Sequence, residues 1–132
     1  MPFDARELFA NLAEKEKIKG HHSPEGRAIR TLSRALSGWS GGNLSARDVL
    51  ALCDQAVDDW LKARLKRSPW SAEPMPVLLA LAMEHGLFGR EEAQRLQDIH
   101  RLCAETRTAR ATSDSTVEAA LEFCIELIEK HW

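Results

Sequence analysis

The sequence predicts an all-α protein, an antiparallel helical bundle with a four-helix core and an N-terminal two-helix extension. Three observations carry this. Apolar residues recur three and four apart through most of the chain, and no stretch alternates with a period of two long enough to make a strand. Helix punctuation recurs between the apolar runs, at Ser23-Pro24, at Gly41-Gly42-Asn43 followed by Ser45 and Asp48, and at His85-Gly86. At 132 residues, 44% hydrophobic and 29% charged, the chain has the size and composition of one globular domain that needs no disulfide or metal staple. The expected division is one domain over 1–132, with residues 1–40 as the extension and 45–132 as the four-helix unit.

The first predicted helix opens at Asp4 with Glu7 three residues on, in the manner of a capping box, and presents Leu8, Phe9 and Leu12 on one face. After "KGHHSPEG", Ser23 caps a second helix whose first position is Pro24, where a missing N–H costs nothing. Ile29, Leu32, Ala35, Leu36 and Trp39 form its buried stripe. Gly41-Gly42-Asn43 ends it. Ser45 and Asp48 box the start of a third helix over about Ala46 to Lys66, and Leu44 and Val49 staple that start. Val49, Leu50, Cys53, Val57, Trp60, Leu61 and Leu65 share one side of it.

"RSPWSAEPMP" reads as a connector, and "VLLALAMEHGLFG", apolar nearly all round but too short for a bilayer, reads as a buried central helix ending at His85-Gly86. A fifth helix from about Arg90 turns Ala93, Leu96, Ile99, Leu102 and Cys103 inward. Ser113 to Ser115 offer caps for the last helix, which buries Val117, Ala120, Leu121, Cys124, Leu127 and Ile128. Glu118, Glu122 and Glu126, four apart, are expected to line its outer surface.

A formal net charge of -2 provides no global field for nucleic acid, so any such binding falls to a local patch. The opening "MPFDARELF" lacks the apolar core of a signal peptide and no run spans a membrane, so a cytoplasmic protein without membrane contact is expected. Cys53, Cys103 and Cys124 are widely separated and lie on apolar stripes, as reduced core residues do. His21 and His22 have no ligand partner at metal-binding spacing, so neither a metal nor another cofactor is expected. Lys62, Arg64, Lys66 and Arg67 in "KARLKR" complement the negative end of the third helix's dipole and are also candidates for phosphate contact or pairing with an acidic surface.

Three passages resemble the HEPN superfamily, whose small four-helix bundles occur in prokaryotic toxin pairs, defence systems and RNA-processing proteins. They are "DVLALCDQAVDDWLKARLKR", "AMEHGLFGREEAQRLQDIHRL" and "TRTARATSDSTVEAALEFCIELIEK". The last is similar to the segment that carries the family's R-N-x-x-x-H motif. Arg107 matches the arginine, Thr108 stands at the asparagine, Ala111 at a small position, and Thr112 replaces the histidine. In catalytic members the arginine and histidine meet across a dimer interface in metal-independent RNA cleavage; threonine does not transfer protons near neutral pH as imidazole does.

The resemblance therefore implies a non-catalytic binding or interaction module of a toxin- or defence-related system, dimerising through the third and fifth helices, with Arg107, Thr108, Arg110 and Thr112 as a degenerate site. Arginines there remain suited to bidentate contact with a carboxylate or phosphate. One alternative is a toxin-type ribonuclease using Arg107, Arg110 and His100, although His100 lies seven residues and about 10 Å along the helix from Arg107. Another is an adaptor for a protein partner with no role in RNA binding.

Overall fold

The computed structural model describes residues 5–19, 23–67, 72–106 and 113–130. Six helices account for almost all of them: α1 (Ala5–Lys19), α2 (Pro24–Ser40), α3 (Ala46–Arg64), α4 (Met75–Glu84), α5 (Arg90–Thr106) and α6 (Asp114–Lys130). The described residues contain no strand. None of the described helices is long and apolar enough to cross a membrane.

Local chemistry sets the helix ends. The Ser23 hydroxyl accepts from the Gly26 amide at 2.9 Å, and Pro24 occupies the first turn of α2. At α3 the reciprocal box is present: the Asp48 amide donates to Ser45 Oγ at 3.3 Å and the Ser45 amide to Asp48 Oδ2 at 3.4 Å. Val49 is buried and Leu44 is half-buried against the core, as the staple requires. Gly86, with φ of 72°, takes the left-handed position after α4. The Ser113 hydroxyl accepts from the Thr116 amide at 3.3 Å at the start of α6. Asp4, proposed from sequence to cap α1, lies outside the described residues.

The hub is α3. It packs against α2, α4, α5 and α6, and its Trp60 and Leu61 are wholly buried. One continuous hydrophobic cluster draws on all six helices, from Leu12 of α1 to Ile128 of α6. Helices α1 and α2 are therefore part of the core in the same chain: α1 packs on α2 and α6, and α2 on α3 and α6. The indole of Trp39, half-buried at the end of α2, donates to Glu118 Oε2 of α6 at 3.1 Å.

Two expectations change here. The apolar segment around α4 is not a central helix: Met75, Leu78, Leu79 and Ala82 are buried against α3 and α5, whereas Val77 and Met83 are 42% and 40% exposed. High hydrophobicity without a polar face gives no direction to burial, and a ten-residue helix covers only one side of its neighbours. The acidic stripe of α6 is also only partly external, since Glu118 and Glu122 are half-buried and Glu126 alone of the three is exposed.

Helix directions follow from the residue pairs. Trp60 stacks on Phe88, just before α5, with ring centroids 6.5 Å apart, while Leu50 clusters with Cys103 near the end of α5. So α5 runs antiparallel to α3. Ala120 joins the Leu50 cluster, and Lys130 at the end of α6 meets Glu92 at the start of α5 at 3.5 Å. Thus α6 runs parallel to α3.

Candidate functional site

These directions place the basic run of α3 away from the described end of α5 and from the start of α6. Helix α5 ends and α6 begins at the end of the molecule where α3 starts, whereas Lys62, Arg64, Lys66 and Arg67 lie at or just past the C-terminal end of α3. Residues 50 and 64 alone are about 21 Å apart along the helix at 1.5 Å per residue. The basic run is therefore remote from the last described residue of α5 and from the start of α6. Arg107, Thr108, Arg110, Ala111 and Thr112 lie outside the described residues, as do His21 and His22.

His100 has a partner that sequence reading missed. Its Nδ1 is 2.8 Å from Asp54 Oδ1, joining the middle of α3 to α5 across 46 residues of chain. The side chains are 36% and 20% exposed respectively. A carboxylate accepts, so Nδ1 carries the proton in this contact and Nε2 is the nitrogen left for other chemistry. No local motif announces such a pair, because it is created by the packing of two helices. Arg101, next along α5, is held by Asp98 one turn back.

The basic run divides as well. Lys62 is 8% exposed and its Nζ pairs with Asp58 at 2.9 Å. The four-residue spacing of Asp58 and Lys62 already contains that pair. Arg67 meets Glu73 at 3.5 Å. Arg64 and Lys66 line a concavity of about 510 Å³ with His85, which sequence reading used only as a helix end.

The three cysteines are buried and unbridged. A hydrogen bond with the Cys124 thiol, together with burial, pushes the Cys53 thiol well above its ordinary range, and the neighbouring Cys103 and Asp54 act in the same direction. A thiol so placed is a poor nucleophile. Among the described residues, no group of three His, Cys, Asp or Glu side chains is arranged to hold a metal ion.

The remaining feature is a seam between α5 and α6. Consecutive in sequence, they meet through long side chains rather than by close backbone packing: Arg95 lies over the Phe123 ring, 4.0 Å from its centroid, and Lys130 reaches Glu92. The groove between them is lined by Ile99, Leu102, Ala119, Ala120 and Phe123 together with the polar Arg95, Asp98 and Thr116. No protein-family model, no curated protein and no solved structure matches this chain.

Proposed function

We propose that the chain is a HEPN-like helical module that acts by binding rather than catalysis, as a homodimer in a prokaryotic toxin- or defence-related system. In this reading α3 to α6 correspond to the four-helix unit and α1 and α2 complete its core. The observation that carries it is the α5–α6 seam. It leaves Ile99 and Leu102 half-buried and Ala119 exposed beside Phe123, while α3 is largely enclosed by its neighbours. The dimer contact accordingly falls on α5 together with α6.

Charges of both signs flank the groove. Arg90, Arg95 and Lys130 stand beside Glu91, Glu92 and Glu126. A two-fold axis places each patch against its own copy, so a mixed-sign rim is self-complementary there. Thr112 at the histidine position agrees with a binding role. The purified protein is expected to sediment as a dimer, and Ala119→Glu to sediment as a monomer that keeps its helical circular dichroism and loses the concentration dependence of its melting temperature. A monomeric parent protein sinks the proposal.

The Asp54–His100 pair favours a second reading, a metal-independent ribonuclease. A carboxylate that fixes the ring on Nδ1 prepares Nε2 to accept or donate a proton. On this reading the protein cleaves RNA, and His100→Ala lowers the rate about 10²-fold or more, the usual contribution of a positioned acid–base group. Absence of cleavage by the folded parent protein eliminates it.

A further inference from the structure

The seam proposed above as the dimer contact has two unlike walls. On α5 the apolar groups are large, Ile99 and Leu102, both half-buried. On α6 they are small, the exposed Ala119 and the buried Ala120, with Thr116 one turn before them. Phe123, the large side chain that α6 adds, is nearly buried and lies beneath Arg95. Bulky groups on one helix pack best against small ones on another, because knobs then have holes to enter. Within the chain the two walls do not close on each other, since α5 and α6 approach too loosely for their backbones to pack.

Charge supplies an independent observation at one end of the seam. There the first turn of α5 and the last turns of α6 line one concavity, so Arg90 and Glu126 sit at the same level along the helices. Lys130 is already tied to Glu92, and Arg95 to the face of Phe123. Arg90 and Glu126 are exposed, and neither side chain has an ion pair or hydrogen bond among the described residues. Opposite charges held apart on the two walls are matched when a second copy brings each wall to the other.

We propose that the two-fold axis of the dimer runs along this seam, so that α5 of each copy lies across α6 of the other and Arg90 pairs with Glu126 of the partner subunit. This geometry rests on the homodimer proposed above. Rotation about such an axis keeps every residue at its own level and exchanges the two walls. Ile99 and Leu102 then pack over Ala119 and Ala120 of the partner subunit, and α5 runs antiparallel to the α6 it faces, as in a four-helix bundle. The ion pair forms twice. An axis across the seam would instead set Ile99 and Leu102 against their own copies and leave alanine facing alanine. An axis perpendicular to the interface would keep large over small but carry Arg90 to the far end of the groove from Glu126.

The test exchanges charge between chains, read on the full chain by analytical ultracentrifugation and native mass spectrometry. Arg90→Glu and Glu126→Arg, prepared separately, are each expected to weaken dimerisation about tenfold or more, because each homodimer then carries two like-charge contacts. Both residues are exposed, so the helical circular dichroism of the parent protein is expected in each variant. Mixed in equal amounts, the two variants are expected to give chiefly the heterodimer, recognised by its intermediate mass, in which both contacts again join opposite charges. Its affinity should return to that of the parent protein. Homodimers of either variant as tight as the parent's, or a merely statistical mixture, overturn the proposal while the dimer itself stands. Recovery in a chain that carries both substitutions, without recovery in the mixture, also overturns it by showing that the pair forms within one subunit. A monomeric parent protein overturns the dimer and this geometry together.

Discussion

Deleting residues 1–44 is expected to leave 45–132 without a cooperative unfolding transition. Leu12, Ile29, Leu32 and Leu36, all essentially inaccessible to water, belong to the same cluster as Val49, Cys53 and Val57 of α3 and Leu121 and Cys124 of α6. Burying one such side chain contributes about 1.5–3 kcal/mol, so the four together contribute about 6–12 kcal/mol. That is comparable with the entire stability of an ordinary domain, about 5–15 kcal/mol. The residues of α3 and α6 that face them would also be exposed to water. Far-UV circular dichroism combined with a urea titration reads the result. A sharp transition from the fragment, at a midpoint near that of the full chain, would show instead that α3 to α6 stand alone and that α1 and α2 are accessory.

The second large effect is expected at Trp60. Its side chain is completely buried in α3, where four other helices converge, and stacks on Phe88 at the α4–α5 corner. Trp60→Ala should lower stability by about 3–5 kcal/mol, since the helices around it cannot all collapse into the vacated space. Urea midpoints of the parent and the variant measure this. Val77→Ala on α4 provides the comparison, with a change within about 0.5 kcal/mol expected for a side chain that is 42% exposed. Similar losses at the two positions would return α4 to the centre of the molecule.

Sequence reading was most successful where one turn of backbone decides the outcome. Ser23, the Ser45–Asp48 box and Gly86 each act on groups within four residues, so their signals survive without knowledge of the fold. The apolar stripes of α2, α3 and α6 were legible for a related reason, because a helix with one water-repelling side has only one way to face. Helix α4 lacked that asymmetry, and its hydrophobicity was mistaken for centrality. Long-range relations were not legible at all: Asp54 finds His100 across 46 residues and Trp39 finds Glu118 across 79. Nor did "KARLKR" reveal that Lys62 is drawn inward to Asp58 while Arg64 and Lys66 share the lining of one concavity with His85 at the end of α4. The site residues inferred from family resemblance, Arg107 to Thr112, are outside the described residues, so resemblance alone carries them.

The position of α3 also bears on biosynthesis. Its apolar face waits for α6, which begins 50 residues after α3 ends and closes over Cys53 and Leu50 last. A ribosome adding about 5–20 residues per second needs several seconds to deliver that segment. During this interval nothing from α6 covers the face of α3 that carries Leu50 and Cys53. Slow codons between α3 and α6 would lengthen the exposure, whereas slow codons before α3 would not.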